Sequence, residues 1–468
     1  MQIKSYEVFA GVLVALIFVF LLIFLAVPQI IFGEDVSREI GEKIPDQYIV
    51  VFKDSVSDVE TAENELIGRT RGERIGSYRN AINGFAARFS ETELAGVLSD
   101  PRVAFVSEDR EVSILDSQTS RQARNNAARV LNTDLSTLSH RSRDTSPPPA
   151  PPSSAPSVEA VSAQSQTFPT GISRIGAAGK ANKGAGVHVA VVDTGIQTSH
   201  PDLKNNIVGG KNCSSGSSYN DGNGHGTHVA GTIAALDNGL GVVGVAPQAK
   251  LWAVRVLNNS GRGTWSSVIC GLDFVTSKAP INGGTITVAN LSLGGAGASD
   301  GNCGNFNNDA LHKAICRVRD AGVTIVVAAG NSGVSAATQV PAAYDDAVIT
   351  VSALVDSDGR PGGLGAASSY GADDTFASFS NWGVPVDIGA PGVSIYSTWI
   401  KSGYKRISGT SMASPHVAGA AALYIATNPG ALWSDIRDAL ILQGEALGMG
   451  HTDPSGKHPE PVLNVSAL

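Results

Sequence analysis

Four side chains that could together perform nucleophilic catalysis occur in separate, mostly glycine-rich stretches of the chain. They are Asp193, His225, Asn331 and Ser411. A serine hydroxyl is a weak nucleophile until a neighbouring imidazole accepts its proton, and that imidazole needs a carboxylate to fix its tautomer. An asparagine amide can stabilise an oxyanion together with the N–H of the serine. These residue types therefore predict acyl transfer through an activated serine.

The elements that must position these residues can be inferred from the spacing of apolar residues. Short β-branched runs predict buried strands, with helical stretches between them. The predicted strands are residues 187–192, 251–256, 286–291 and 324–328, and the predicted helices are residues 225–236, 266–276, 308–321 and 411–427. This alternation predicts an α/β fold with a doubly wound, mostly parallel sheet. Asp193 and Asn331 follow strands, at the edge where such sheets carry their chemistry, and His225 and Ser411 begin helices.

The segments around His225 and Ser411 resemble those of the subtilisin-like serine peptidases (the subtilase family). They read Asp-Gly-Asn-Gly-His225-Gly-Thr-His and Gly-Thr-Ser411-Met-Ala-Ser-Pro, and the chain order aspartate, histidine, serine is also that of the family. The resemblance extends from about Gln166 to Leu468 and implies a subtilisin-like catalytic domain at residues 165–468. It further implies that Asp193, His225 and Ser411 form the triad, that Asn331 is the oxyanion donor, and that protein or peptide substrates are hydrolysed through an acyl-enzyme.

The same resemblance implies where a peptide substrate binds. Two extended segments would pair with the substrate backbone as β-strands, and Gln339 would lie near the base of the primary pocket. The implied substrate-binding residues are Gly261, Arg262, Gly263, Ser292, Leu293, Gly294, Ala329, Gly330 and Gln339. We expect the longer polar side chain of Gln339 to narrow the pocket and to disfavour large aromatic residues.

A small α+β unit precedes the catalytic domain. Its predicted strands are residues 48–52, 85–89, 103–106 and 111–115, and its predicted helices are residues 58–68 and 91–98. Residues 44–115 are similar to the propeptide of the family, which implies an intramolecular chaperone and temporary inhibitor that is released by self-cleavage. The alternative is an unrelated small binding domain. Cleavage could follow Leu115 or occur near Ala163-Gln164.

A calcium site is also implied by the resemblance. Residues 236–242 are similar to the calcium loop of the family, and carboxylate, amide and carbonyl oxygens are the ligands that a hard cation prefers. The implied ligands are the side chains of Gln166, Asp202 and Asn238 and the carbonyl groups of Leu236, Leu240 and Val242. The alternative is an ordinary Asn-Gly turn.

The four cysteines all lie beyond residue 200 and fit an oxidising compartment. Cys303 and Cys316 are close in sequence, so a disulfide between them would be a local clip, and Cys213 would then pair with Cys270 across the fold. The alternative is four free buried thiols. The spacing of the cysteines is not that of a CxxC metal site.

The N-terminal region predicts contact with a membrane. Residues 8–27 form an almost unbroken apolar run that is long enough to cross a bilayer. We interpret residues 1–33 as an uncleaved membrane anchor, with a removable export signal as the alternative. Either interpretation places the rest of the chain outside the cell or on the outer face of its membrane. Residues 116–164 are polar and rich in Pro, Ser and Arg, which predicts a flexible linker.

Several other functions are disfavoured. The net charge of −8 argues against a nucleic-acid partner, because phosphate binding needs clustered cations. The His225 segment lacks the HExxH pattern of zinc peptidases. A serine esterase usually has the order serine, acid, histidine. A noncatalytic subtilisin-fold module for peptide binding would be expected to lack at least one of the four chemical residues, and all four are present. We expect a monomer.

Overall fold

The computed structural model describes residues 41–115 and 165–468. The predicted membrane segment at residues 1–33 and the predicted linker at residues 116–164 lie outside these ranges, and so does the alternative cleavage point near Ala163. Across the two described ranges, no helix combines the length and the apolar character that crossing a membrane requires.

Residues 41–115 form an antiparallel sheet that carries two helices. The strands are β1 (Lys43–Phe52), β2 (Glu73–Tyr78), β3 (Gly84–Arg88) and β4 (Val103–Ile114), in the order β4-β1-β3-β2, and the helices are α1 (Val59–Thr70) and α2 (Glu91–Leu98). Val50 and Phe85 share a buried cluster with Leu66 of α1, whereas Ile49 and Ala86 belong to a cluster that they share with residues of the catalytic domain. The side chains of successive residues in these strands therefore point to opposite faces of the sheet.

The structure differs from the sequence-based expectation at two strands of this domain. The separate runs predicted at residues 103–106 and 111–115 belong to one long strand, β4. Strand β2 was not predicted, because its sequence, Glu-Arg-Ile-Gly-Ser-Tyr, is polar and most of its side chains are exposed. Such an edge strand buries too little apolar surface to produce a clear alternation of apolar and polar residues.

Residues 165–468 are built around a seven-stranded sheet in which all neighbouring strands are parallel. The strands of this domain are β5 (His188–Asp193), β6 (Ile207–Asn212), β7 (Lys250–Arg255), β8 (Arg262–Thr264), β9 (Ile286–Leu291), β10 (Leu293–Ala296), β11 (Thr324–Ala328), β12 (Gln339–Val340), β13 (Ile349–Leu354), β14 (Ile388–Pro391), β15 (Ile395–Trp399) and β16 (Gly403–Ile407). The large sheet has the order β14-β13-β11-β9-β5-β7-β6, and β15 and β16 form a hairpin.

Helices cover both faces of this sheet. They are α3 (Thr170–Arg174), α4 (His225–Ala234), α5 (Trp265–Ser277), α6 (Ala310–Asp320), α7 (Thr410–Thr427) and α8 (Trp433–Gln443). Val191 of β5 shares a buried cluster with Ile233 of α4, and its neighbour Val192 shares the other main cluster with Leu272 of α5. Because both faces are buried, the strands are continuous apolar runs. The doubly wound, mostly parallel α/β fold predicted from the sequence is confirmed.

Two disulfides connect loops of the catalytic domain to its helices. Cys213, just after β6, is bonded to Cys270 of α5, and Cys303 is bonded to Cys316 of α6. No cysteine is free. The structure thus contains the local clip and the longer-range bridge, rather than four thiols.

The two domains contact each other through carboxylates that accept backbone hydrogen bonds. Asp273 of α5 accepts the N–H groups of residues 79, 80 and 81 at 2.8, 2.6 and 2.9 Å. In the opposite direction, Asp109 of β4 accepts the N–H of Ser266 at 3.0 Å. The Tyr78 hydroxyl donates to the Ser266 carbonyl at 2.9 Å. Hydrogen bonds to charged groups are the stronger kind, so these contacts fix the orientation of the N-terminal domain.

We predict that Asp273→Asn loosens the N-terminal domain, because a neutral amide oxygen accepts the three N–H groups less strongly. The expected loss of interaction free energy is about 1–2 kcal/mol. This loss would raise the population of the detached N-terminal domain by roughly 5–30-fold. Hydrogen exchange at the amides of β1 and β3, measured in full-length protein that also carries Ser411→Ala to keep the chain intact, would test it. Asp54→Asn is the control, since its contact with Arg317 is exposed and 3.4 Å long. Equal exchange in both variants would contradict the prediction.

Candidate active site

The side chains of Asp193 and His225 are hydrogen bonded to each other in the protein interior. The Nδ1 atom of His225 lies 2.9 Å from both carboxylate oxygens of Asp193, and both residues are almost completely buried. Asp193 is the last residue of β5, and its carboxylate also accepts the N–H of Thr194 at 2.7 Å. The carboxylate is therefore held by the strand end, and it can fix which ring nitrogen of His225 carries a proton.

A second buried carboxylate, Asp221, connects the segments that carry these two residues. Its Oδ1 atom accepts the hydroxyl of Thr194 at 2.9 Å, and its Oδ2 atom accepts the N–H and the hydroxyl of Thr227 at 3.0 and 2.6 Å. Thr194 follows Asp193, and Thr227 lies in the first turn of α4 with His225. Asp221 has no role in the sequence-based assignment, although an acidic residue just before a helix is a usual signal of N-terminal capping.

Ser411 lies in the first turn of α7, which packs against α4. Its carbonyl group accepts the hydroxyl of Ser292 at 2.9 Å, and its own hydroxyl lies 3.2 Å from the Ser292 carbonyl. Position 409, two residues before Ser411, requires glycine. A Cβ atom on Gly409 would lie 2.8 Å from the Leu115 carbonyl oxygen and 3.0 Å from Asn331 Nδ2. Gly409 thus permits another segment of chain to approach the serine closely.

The carbonyl oxygen of Leu115 is the group that approaches Ser411. It accepts hydrogen bonds from Ser411 Oγ at 2.5 Å and from Asn331 Nδ2 at 2.6 Å. The amide of Asn331 is oriented by Thr410, whose N–H and hydroxyl donate to Asn331 Oδ1 at 2.8 and 2.9 Å. Because Oδ1 faces two donors, the NH₂ group of Asn331 points towards Leu115. The structure therefore brings a backbone carbonyl, a hydroxyl and an amide donor together.

The residues before Leu115 form the middle strand of a three-stranded antiparallel arrangement. Strand β4 pairs with β10 through Ile114 opposite Leu293 and Ser113 opposite Gly294. On its other side β4 pairs with β8, where Ser113 lies opposite Arg262. The register pairs Val112 with Gly263, and the Ile114 N–H donates to the Gly261 carbonyl at 3.0 Å. The two segments implied to bind substrate by β-pairing thus hold the C-terminal end of the N-terminal domain.

The residues implied for the primary pocket lie near the Leu115 side chain and in the segment that precedes Asn331. A Cβ atom on Gly294 would lie 3.3 Å from a methyl carbon of Leu115, and a Cβ atom on Gly330 would lie 3.6 Å from the Gln339 side chain. Ala329 is fully buried, and its N–H donates to the Val351 carbonyl at 3.0 Å. Gly294 therefore borders the Leu115 side chain, Gln339 packs beside Gly330, and Ala329 anchors this wall to the sheet.

Hydrogen bonds connect several of the implied calcium ligands and their segments. Gln166 Oε1 accepts the N–H of Asn238 at 2.8 Å, and the Asn238 side chain accepts the N–H of Leu240 at 2.9 Å. Asp202 Oδ2 accepts the N–H of Val242 at 3.0 Å, whereas its buried Oδ1 accepts no hydrogen bond within the described ranges. Its backbone carbonyl accepts the N–H of Leu236 at 2.9 Å.

The environment of Asp202 fits a cation. Burial raises the pKa of its carboxyl group to about 6, because the charged form loses water. Burying this carboxylate with one oxygen unpaired costs free energy, and a bound divalent ion would offset that cost. The donors are carboxylate, amide and carbonyl oxygens, which suit calcium.

The two further histidines near the site are packing residues. His228 Nε2 donates to the carbonyls of Ile395 and Lys405, both at 3.0 Å, and burial lowers its pKa to about 3. His416 Nδ1 donates to the Met412 carbonyl at 2.8 Å, and burial lowers its pKa to about 4. Both rings are neutral near pH 7 and are fixed by backbone carbonyls.

Comparisons with known proteins agree with this geometry. Residues 184–454 match the subtilase family, and residues 47–115 match the family of peptidase inhibitor I9. Subtilisin DY of Bacillus licheniformis is 44% identical over 309 residues, which cover 64% of this chain and 98% of that protein. Subtilisin E of Bacillus subtilis (strain 168) is 32% identical over 462 residues, which cover 97% of both proteins.

A crystal structure of a cold adapted subtilisin-like serine proteinase is also similar. It has 35% sequence identity and a TM-score of 0.50, and the match covers 61% of this chain and 90% of that protein. The two family matches fall on the two described domains, and the match to subtilisin E includes both of them. The chain therefore belongs to the subtilase family, and it is a serine endopeptidase that is made as a zymogen with an inhibitory propeptide at its N-terminal side.

Proposed function

We propose that Ser411 is the nucleophile, His225 the general base and acid, and Asp193 the carboxylate that orients the imidazole. Asn331 and the N–H of Ser411 are the oxyanion donors. The observation that carries the proposal is the Leu115 carbonyl group, which is hydrogen bonded by Ser411 Oγ and Asn331 Nδ2 at the same time. A noncatalytic peptide-binding module would not need an amide donor at this carbonyl.

The reaction proceeds in two halves. Ser411 Oγ attacks the carbonyl carbon of the substrate while His225 accepts the hydroxyl proton, and His225 then donates this proton to the leaving amine nitrogen. A water molecule next attacks the acyl-enzyme with His225 again as base, and Ser411 is released. Asp193 keeps its negative charge throughout and stabilises the imidazolium. The amide of Asn331 acts most strongly when the carbonyl oxygen becomes negative.

The first substrate is the chain itself. Of the two cleavage points considered from the sequence, the Leu115–Asp116 bond is favoured by the contact of the Leu115 carbonyl with Ser411, and Ala163-Gln164 lies outside the described residues. Strands β8 and β10 hold the preceding residues as they would hold a peptide substrate. We therefore propose self-cleavage after Leu115, with residues 116–164 remaining at the N-terminus of the catalytic domain after this step.

We predict that Ser411→Ala accumulates as the full-length chain, because the nucleophile is lost, and that Asn331→Ala slows processing by about 10²–10³-fold. The original protein and the exposed control Ser466→Ala should release a product that begins at Asp116. Mass spectrometry of the purified proteins would measure both. A first product that begins near residue 164, or normal processing of Ser411→Ala, would rule out this assignment.

We further propose that Gln166, Asp202 and Asn238 bind Ca²⁺ with the carbonyl groups of Leu236, Leu240 and Val242. When bound, the ion supplies the positive charge that the buried Asp202 carboxylate lacks. The Gln166 side chain is already hydrogen bonded to the loop at residues 236–242 in the structure in which the Leu115 carbonyl is hydrogen bonded to Ser411. Calcium binding therefore does not have to wait for cleavage of the chain.

We predict that the full-length Ser411→Ala protein binds calcium as tightly as the processed enzyme and that Asp202→Asn in this background weakens binding. At calcium concentrations 100-fold above Kd the ion stabilises by about 2.7 kcal/mol, and the variant should lose that gain. Affinity should fall below pH 6, because protons then occupy Asp202. Calorimetry and thermal unfolding with and without calcium would test this, with the exposed Asp438→Asn as control. Unchanged calcium affinity in Asp202→Asn would refute the assignment.

The primary pocket is proposed to prefer medium-sized apolar residues such as Leu115, because Gln339 packs against Gly330 and takes up space that a larger ring would need. Exchanging Gln339 for Gly should therefore raise kcat/KM for substrates with Phe relative to those with Leu by about 10-fold or more. A peptide library would measure the ratio, with the exposed Ala337→Gly as control. A strong preference for Phe in the original enzyme would show that the pocket is not narrowed.

We propose that the enzyme works outside the cell or on the outer face of the membrane. Both pairs of cysteines are oxidised in the structure, which fits an oxidising compartment. The apolar run at residues 8–27 would act as anchor or export signal. A removable signal would leave the exported protein in the soluble fraction, whereas a permanent anchor would keep it on membranes until detergent releases it.

A further inference from the structure

Three aspartates outside the active site and the calcium loop lie close together between β13 and β14. They are Asp356, Asp358 and Asp373, and one potential ligand oxygen from each lies within 4.8 Å of the others. Asp356 and Asp373 are each only 4% exposed, whereas Asp358 reaches solvent. Like charges at this separation repel, and burial removes most of the water that would screen them.

No protein cation neutralises this cluster among the described residues. The charge of Arg174 acts on Asp356 from a distance, but its guanidinium is hydrogen bonded to other acids. Its Nε atom donates to Asp374 at 2.6 Å, and its two terminal nitrogens donate to Glu445 at 3.1 and 2.8 Å. The positive charge of Arg174 is therefore matched elsewhere.

One oxygen of the cluster lacks a donor. Asp356 Oδ1 accepts the N–H of Gly359 at 2.9 Å, and the Thr170 side chain lies near the same carboxyl group, but the buried Oδ2 accepts no hydrogen bond of ordinary geometry within the described ranges. Both oxygens of Asp373, in contrast, accept hydrogen bonds, from Ser357 and from the N–H of Gly365. A buried carboxylate oxygen without a donor is costly, and a bound cation would remove that cost.

We propose that Asp356, Asp358 and Asp373 bind a second calcium ion. Three carboxylates provide the hard oxygen ligands and the negative charge that Ca²⁺ requires, and backbone carbonyls of the glycine-rich loop can complete its larger, irregular coordination shell. Mg²⁺ is less suited, because it demands a regular octahedron and keeps its water. The exposed Asp358 supplies the side from which the ion enters.

The position of this site indicates what the ion does. A Cβ atom on Gly359 would lie 3.1 Å from the Ser173 side chain and 3.2 Å from the Thr170 carbonyl, so the loop is in close contact with α3. Helix α3 begins four residues after Gln166. A bound ion would therefore stabilise the loop that carries Asp356 and Asp358 in its contact with α3, the first helix of the catalytic domain.

Equilibrium dialysis of the metal-free full-length Ser411→Ala protein against Ca²⁺ tests the proposal. We expect two ions per chain, with one left in Asp358→Asn and one left in Asp202→Asn, because each variant disables a different site. Asp320→Asn, an exposed acid at the end of α6, should retain two. Asp358→Asn should weaken its site by at least about 10-fold. Its amide can still accept the Arg360 N–H that Asp358 accepts at 2.9 Å.

The outcomes for the two sites are separable. Two tight ions in Asp358→Asn, or one ion in the parent that is lost in Asp202→Asn, would overturn the second site. Displacement of the ion by equimolar Mg²⁺ would overturn the choice of calcium. Thermal unfolding guards against misfolding. Without calcium, Asp358→Asn should unfold at the temperature of the parent or somewhat above it, because one repelling charge is removed, and only the parent should show the full calcium-dependent shift.

Discussion

The backbone of residues 111–115 lies between β8 and β10 as a middle strand, and this constraint determines the geometry of the site. Main-chain pairing on both sides leaves one register, and that register delivers the Leu115 carbonyl to Ser411. The absence of a side chain at Gly409 permits the final approach. The chain is thus positioned at Ser411 by an interaction that does not depend on the side chains of the bound strand.

The groups around that carbonyl are held by buried polar contacts. Asp221 connects the strand end at Thr194 to the helix that carries His225, and Thr410 orients Asn331. In each case a charged or amide group is satisfied by several donors or acceptors, so it is not free to rotate. Donors fixed in this way stabilise a developing charge without reorganising, which is the usual source of large catalytic effects.

The fold could be predicted because buried parallel strands and helix starts leave clear patterns in the sequence, and the same patterns placed the four candidate site residues at strand ends and helix starts. Strand β2 could not, since an exposed polar edge strand has no apolar period. The role of Asp221 depends on contacts between separate segments, which spacing alone does not reveal. The cluster of Asp356 with Asp373 was also missed, because seventeen positions separate them and only the folded loop brings their carboxylates together.

The two hydrogen bonds to the Leu115 carbonyl, from Ser411 and Asn331, have a consequence for the processed enzyme. The proposed cleavage after Leu115 would turn this neutral group into a carboxylate, so the new C-terminus would carry a full negative charge beside the donors of Ser411 and Asn331. The severed propeptide should therefore remain seated as a product, held also by Asp273 and by its paired strands. Activity would then begin only when the propeptide dissociates or is degraded. A delay is therefore expected between cleavage of the chain and the appearance of activity.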